Sequence, residues 1–457
     1  MTDGARREAR IGHPIVQAPT GRVSMNLEEL RSTKLDSTVK GMPERGGRSI
    51  SLAEIATMRW NLLAGDLPFP VATLSLDRLR GNSQWMRSFT ERHGIRLCPH
   101  GKTTMAPQLF QLQLEDGAWG ITVASTQQMQ VCRRFGVKRI LMANQLVGDL
   151  EIRSVFRALK DDADLDFYCL VDSLENVWEL QRVARDFALR RPIQVLLEIG
   201  LAAGRTGVRE FDEAVSLARL ISECHPYLAL SGVEGFEGVV ARPDHAQAES
   251  DVREYVGRLS DVFERLENQR LFTVDKPMLT IGGSIYFDLV ATHPRIHALR
   301  RRCEVILRSG CYLTHDSVML TNNFKRVLAR TAGLGAPSDA PRPALSVWGR
   351  IQSMPEPGLA ILNVGKRDVS FDVDLPVAET WFRSGAHATP IRIAEPVTTV
   401  QINDQHTFFR VPANTELRVG DVVGLGISHP CTTFDKWKLL YIVDETYDVV
   451  EGILTYF

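Results

Sequence analysis

The chain has 457 residues, 44% of them hydrophobic and 24% charged, with a formal net charge of −1 at pH 7. That balance describes an ordinary globular protein and excludes a strongly basic nucleic-acid binder or a polybasic membrane-surface protein. No apolar run approaches the roughly eighteen residues that span a bilayer, and the length predicts two or three domains.

Residues 1–46 are polar, Arg-rich and without periodicity, which predicts a disordered or loosely docked extension. The first 22 residues lack an apolar h-region, so no secretory signal is expected. The seven cysteines (98, 132, 169, 224, 303, 311 and 431) are odd in number and form no CxxC pair. That usage suits a reducing cytoplasm and argues against a disulfide framework. From Ser51 a helical pattern through Ile55, Met58, Trp60 and Leu62 leads to Pro68-Phe69-Pro70.

Beyond this point apolar, β-rich runs recur at 71–76, 120–124, 139–143, 166–171, 193–199, 228–236, 278–281 and 303–307. Helix-length stretches separate them, such as 106–116, 126–135, 174–190 and 211–224. Strands alternating with helices predict a parallel sheet with helical crossovers. Eight or so units over some 240 residues match a (β/α)8 barrel. A doubly wound open sheet is the competitor, but no GxGxxG follows the first strand. Near Thr314 the rhythm stops, and residues 333–343 are a loop by composition. Short alternating segments follow at 345–352, 359–362, 369–374, 390–393, 397–402, 406–410, 421–426, 439–443 and 449–455. They predict an all-β domain. The fold class read from the sequence is therefore α/β, a (β/α)8 barrel followed by an all-β C-terminal domain.

One lysine stands out within Leu97-Cys98-Pro99-His100-Gly101-Lys102-Thr103-Thr104-Met105. The layout puts Lys102 at the carboxyl end of a strand, where α/β barrels keep their chemistry. A lysine walled off from water has a lowered pKa and can form a Schiff base with a carbonyl; a solvated loop lysine is the plain alternative. Arg205, in Gly204-Arg205-Thr206-Gly207-Val208, can reach a cofactor oxygen, ring nitrogen or phosphate from the end of another strand. Ile281-Gly282-Gly283-Ser284 forms a turn whose backbone N–H groups suit an anion. Ser309-Gly310-Cys311-Tyr312 ends the last barrel strand beside it. In the β domain, His429 and Cys431 lie two apart in Ser428-His429-Pro430-Cys431, a pair chemically suited to Zn2+ with positions left for water and substrate. His225, His293 and His315 read as structural. There is no Walker A motif, HExxH or Gly-x-Ser-x-Gly elbow.

Taken together, Pro99-His100-Gly101-Lys102-Thr103, Gly117 to Ala124, Ala143-Asn144-Gln145-Leu146-Val147, Gly204 to Val208, Gly282-Gly283-Ser284 and Ser428-His429-Pro430-Cys431 resemble the D-threonine aldolase/D-serine dehydratase family. The resemblance is nearest to that family's bacterial amino acid deaminase branch, and it covers residues 50–457. It implies a fold-type III, alanine racemase-like pyridoxal 5'-phosphate enzyme. Lys102 matches the lysine bound to the cofactor. Gly282, Gly283, Ser284 and Tyr312 match the phosphate segments, Arg205 an arginine near the cofactor ring, and His429 and Cys431 the zinc ligands. The resemblance further implies a homodimer that acts on a small D-amino acid. The expected divisions are an extension (1–46), a segment packing on the β domain (47–70), the cofactor-binding barrel (71–315) and the β domain with the metal site (316–457). One departure is Phe236, where many relatives carry a tyrosine.

The reaction implied is zinc-assisted loss of the β-hydroxyl from a D-3-hydroxy amino acid such as D-serine, giving a 2-oxo acid and ammonia. Retro-aldol cleavage to glycine and an aldehyde is the alternative. A non-catalytic, cofactor-carrying homeostasis protein is the third reading, against which the C-terminal β domain argues.

Overall fold

The computed structural model describes residues 25–189, 191–240, 244–394 and 396–457. Its centre is a parallel sheet of eight strands: Arg96–Leu97, Ile121–Val123, Arg139–Gln145, Asp166–Val171, Ile193–Glu198, Leu228–Phe236, Met278–Gly282 and Glu304–Leu307. Every strand pairs with the next in chain order from the second onward, and the last pairs with the first through Ile306↔Arg96 and Leu307↔Leu97. The ring closes between the first and second strands. There Trp119 N–H donates to Leu97 C=O (2.6 Å), Thr122 N–H donates to Pro99 C=O (2.9 Å), and His100 bridges Thr122.

Helices cross over outside, among them Pro107–Glu115, Thr126–Arg134, Leu174–Phe187 and Phe211–Glu223, each within a few residues of its predicted bounds. Serines start several of them for a local reason. The hydroxyls of Ser125 and Ser173 accept from the N–H of Gln128 and Asn176, capping donors that the first helical turn leaves free. Strands such as Leu228–Phe236 are apolar on both faces because helices cover one side and the barrel interior the other.

A second, largely antiparallel sheet of ten strands carries the C-terminal part of the chain. Its centre is Leu345–Ser353, flanked by Val422–Gly426 and by Val71–Ser75. That last pairing corrects the sequence reading. The run at 71–76, read as the first barrel strand, joins the antiparallel sheet, lying between Leu345–Ser353 and Leu439–Val443. Val71–Ser75 is apolar on both faces in either setting, so its composition does not distinguish the two sheets. A second correction lies at 369–374, read as a strand. That stretch is turn, and the strand runs at Val377–Phe382.

Residues 25–46 also depart from expectation. Leu30, Leu35 and Met42 are buried, Lys34–Leu35 pairs with Ile50–Ser51, and the Tyr441 hydroxyl donates to Gly41 C=O at 2.9 Å. Spaced apolar side chains anchor this segment although its overall composition is polar. The remainder of the predicted extension, residues 1–24, lies outside the described residues. The pattern from Ser51 forms a 3-10 helix, Leu52–Thr57, and the chain after it is tied to the β sheet by Val449 N–H donating to Trp60 C=O (2.8 Å) and Leu62 N–H to Tyr447 C=O (3.0 Å). Among the described residues no helix is long and apolar enough to cross a membrane.

Candidate active site

Lys102, Arg205, Gly282–Ser284 and Ser309–Tyr312 each follow a barrel strand at its carboxyl end. Lys102 sits in a single 3-10 turn, Gly101–Thr103, entered through His100. Two glycines allow this turn to seat. A Cβ on Gly101 would lie 2.8 Å from Ile121 Cγ2, and one on Gly310 would lie 2.7 Å from both His100 C=O and Thr103 Oγ1. The lysine turn and the Ser309–Tyr312 loop are thus in direct contact. Lys102 itself is exposed in the single chain, so its own chain does not supply the dry wall that the sequence reading expected.

His100, next but one to the lysine, is half-buried, with its buried Nδ1 lacking a partner. Burial, reinforced by the positive charges of Lys102, Arg308 and Arg205, holds its pKa well below the usual imidazole range. The ring is therefore neutral at physiological pH. Arg205 is exposed and lies over the Phe236 ring, 4.7 Å from its centroid. Phenylalanine in place of tyrosine thus leaves an aromatic face on which the guanidinium stacks, a contact that needs no hydroxyl.

The Gly282-Gly283-Ser284 turn is a close-packed cradle. Gly283 has φ +117°, a left-handed conformation that favours glycine. A Cβ there would also meet the Glu237 carboxyl, and one on Gly282 would meet Arg308 Nη2 at 2.5 Å. Ser309 Oγ donates to Gly283 C=O (2.5 Å), joining the two loops. The N–H groups of Ser284 and Gly310 have no backbone partner among the described residues. The helix after the turn, Phe287–Ala291, is only five residues long. Tyr312 shares a cavity with Ser284, but its hydroxyl accepts from Gln113 Nε2 at 3.3 Å and is turned into the protein, away from the loop edge expected of a phosphate ligand.

Beneath the cradle lies a buried charge cluster that sequence reasoning missed. Arg308 pairs with Glu234, donates from Nη1 to Thr280 Oγ1 (2.9 Å) and from Nη2 to Gly235 C=O (3.1 Å). Glu237 is fully buried and neither carboxyl oxygen has a well-formed hydrogen bond. Burial pushes Glu234 to about 7 and Glu237 to about 8, against the pull of Arg308. These groups keep protons in the folded state that they would release when unfolded. Their stabilising contribution is therefore complete below about pH 4.5 and is lost as pH rises through 7 to 8. Glu237→Gln, which cannot ionise, is expected to gain on the native protein between pH 5 and pH 9, by about 2–4 kcal/mol at the upper end. Thermal unfolding of the two proteins across that range measures the gap; a gap that stays constant contradicts a buried, protonated Glu237.

On the β sheet, His429 and Cys431 follow strand Val422–Gly426, and Cys431 opens the short helix Cys431–Phe434. Asp372, in the turn misread as a strand, lies 2.7 Å from His429 Nδ1. That contact orients the imidazole by its Nδ1, which leaves Nε2 for a partner on the other side. Asp372 is itself held by Thr432 Oγ1, which donates to its Oδ1 (2.7 Å). Cys431 Sγ lies 3.6 Å from Cys311 Sγ and 3.6 Å from Thr103 Oγ1. The sulfur of Cys431 raises His429 to about 9, helped by Asp372. Cys311 first, then His429 and Thr103, hold the Cys431 thiol well below its usual range. A thiolate beside an oriented imidazole is the donor set that a borderline metal such as Zn2+ takes. Among the described residues no group of three or more His, Cys, Asp or Glu side chains is arranged to hold a metal.

The structure thus gathers Lys102, His429 and Cys431 at one place, through Thr103, with residues 103 and 431 separated by 328 positions of chain. Arg205 and the 282–284 turn join them at the same end of the barrel. Residues 344–443 match the family described as "Putative serine dehydratase domain". This chain carries a D-serine dehydratase-like domain. Its homologues include the D-threonine aldolase of Arthrobacter sp., 23% identical over 386 residues (84% of this chain, 90% of the relative). They also include the D-threo-3-hydroxyaspartate dehydratase of Delftia sp. (strain HT23), 26% identical over 310 residues (67% and 73%). The solved structure of the dehydratase from Delftia sp. HT23 superposes with a TM-score of 0.69 at 20% identity, covering 87% of this chain and 99% of that one. Variants of D-threo-3-hydroxyaspartate dehydratase have been solved in which a histidine or, two positions on, a cysteine is replaced by alanine; the cysteine variant is in the metal-free form. Alanine racemase of Clostridium difficile 630 shares the fold, with a TM-score of 0.54 over 84% of this chain and 97% of that one, at 13% identity. The barrel and β-domain architecture expected from the sequence is the architecture found.

Proposed function

We propose that the protein is a pyridoxal 5'-phosphate-dependent lyase that removes the β-hydroxyl of a D-3-hydroxy amino acid, releasing a 2-oxo acid and ammonia. The observation that carries this reading is the meeting of the Lys102–Thr103 turn with Cys431, which brings the segment holding Lys102 against the segment holding the His–Cys pair. Two segments would share the work, the barrel holding the cofactor and the C-terminal sheet holding the metal. The Gly282–Ser284 turn and the neighbouring Gly310 N–H would hold the phosphate, with Arg205 reaching the ring. His429 Nε2 and the Cys431 sulfur would hold Zn2+. When bound, the cofactor supplies an electron sink and the metal a Lewis acid for the substrate hydroxyl.

In this reading Lys102 would hold the cofactor at its carbonyl, and its amine would take the α-proton of the substrate. His100, neutral, adds no second positive charge near that amine. Asp372 holds His429 in the tautomer with Nε2 free. Water leaves across the α,β bond, and the enamine so formed takes water back to give the 2-oxo acid and ammonia.

A second copy of the chain, as the resemblance implies, would cover Lys102. Its exposure in the single chain supports this, as do the exposed apolar side chains Phe371, Val373 and Val377 around Asp372. The cysteine usage, odd in number and without a CxxC pair, supports a cytoplasmic setting. Retro-aldol cleavage remains the second reading, because relatives include D-threonine and 3-hydroxy-D-aspartate aldolases. Product analysis decides between them. Purified protein supplied with the cofactor and Zn2+ is expected to give 2-oxo acid and ammonia in equal amounts from D-serine or D-3-hydroxyaspartate; glycine and an aldehyde as sole products would replace this reading with the aldolase one.

A further inference from the structure

We propose that Cys311 and Cys431 form a reversible oxidation site in which a disulfide between them takes the Cys431 sulfur out of service. The two Sγ atoms are already in contact at 3.6 Å, and a disulfide bond needs about 2.05 Å. They belong to different layers of the molecule, Cys311 to the loop after the last barrel strand and Cys431 to the helix that follows the β-sheet strand Val422–Gly426. Thr103 Oγ1 touches both, at 3.8 and 3.6 Å, so the lysine turn rests against the pair. The bond would therefore tie the barrel end to the β sheet across the turn that carries Lys102.

Selectivity follows from burial. Cys98, Cys132, Cys169, Cys224 and Cys303 are buried, whereas Cys311 and Cys431 alone are partly open to solvent. A dissolved oxidant thus reaches these two first. The oxidant is a low-molecular-weight disulfide such as oxidised glutathione. One protein thiol gives up its proton, attacks a sulfur of the small disulfide and expels one small thiolate. The second protein thiol, also losing its proton, then attacks the sulfur of that mixed disulfide, forms the Sγ–Sγ bond and expels the other thiolate. The two protons pass to the two thiolates. Two protein thiols are oxidised and one small disulfide is reduced to two thiols.

The effect on turnover rests on the metal-assisted reading above, since a disulfide sulfur is no longer the thiolate that binds metal. The formation of the bond does not rest on it. The test uses full-length protein, stripped of metal, exposed to oxidised glutathione, alkylated and mapped by mass spectrometry. The map is expected to show a 311–431 cross-linked peptide two hydrogens lighter than the sum of its reduced parts, and loss of two of the seven thiols. Given back its cofactor and Zn2+, oxidised native protein is expected to lose turnover at least tenfold and to regain it with dithiothreitol. Cys311→Ser is expected to form no cross-link and to keep through oxidation whatever turnover it has before it. A map without the 311–431 peptide, or one showing only a stable mixed disulfide, overturns the proposal. A 311–431 cross-link that leaves turnover unchanged upholds the oxidation site and overturns the role assigned to Cys431 under "Proposed function".

Discussion

Lys102→Ala, loaded with pyridoxal 5'-phosphate, is expected to lack the absorption near about 420 nm that a protonated Schiff base of this cofactor gives, and to lose turnover by about 10²–10⁴-fold or more. The expectation follows from geometry as well as motif. Lys102 is the lysine in the turn that touches both the Ser309–Tyr312 loop and Cys431. The side chain is exposed, so its removal leaves no buried cavity, and the variant is expected to unfold within about 0.5 kcal/mol of the native protein. Loss of absorption with native stability would tie the effect to the cofactor. Retention of the band in the variant removes the central assignment.

Cys431→Ala is expected to behave differently, keeping the cofactor absorption while turnover falls by two orders of magnitude or more. A metal chelator acting on the native protein should reproduce the effect, and added Zn2+ should reverse it only in the native protein. Asp372→Asn tests the support behind the ligands. Asp372 holds His429 Nδ1 at 2.7 Å, and such outer partners typically contribute 10–100-fold to metal affinity. The variant should therefore need roughly that much more Zn2+ for half-maximal activity, with turnover at saturating metal largely kept. Unchanged zinc dependence would mean that the imidazole is not a ligand, or not through Nε2.

These two experiments divide the site as the molecule does. The lysine stands on the barrel and the His–Cys pair on the sheet. What joins them is Thr103, packed against both sulfurs of the Cys311–Cys431 pair. Gly310 makes the approach possible, because any Cβ there would strike His100 C=O and Thr103 Oγ1. Similarly, Gly283 lets the Gly282–Ser284 loop pass over the Glu237 carboxyl. Small residues at the ends of neighbouring strands are what allow the loops to converge.

Much of this was readable from residue order. Alternating apolar runs and helical stretches specify crossovers, because burying the two faces of a parallel strand needs a helix between it and the next. The Pro-His-Gly-Lys-Thr segment and the His-Pro-Cys segment are contiguous in the chain, so their chemistry is visible without knowledge of the fold. Pairings over long separations were not legible. Val71–Ser75 would suit either sheet by composition, and only its partners at Leu345–Ser353 and Leu439–Val443 decide where it lies. Asp372 sits in a stretch that alternates like a strand, yet its role comes from the histidine 57 residues on. Nor does spacing reveal that Cys311 meets Cys431, that Arg308 and Glu234 are buried together under the cradle, or that Arg205 stacks on Phe236.

By itself, then, the sequence determined the two kinds of layer and made the Lys102 and His429–Cys431 segments stand out, since these depend on covalent neighbours and short-range periodicity. Only the tertiary structure decided which strand belongs to which layer and which side chains meet where the layers join. Those contacts arise when loops from distant parts of the chain close on one another, and the space that permits them is set by packing.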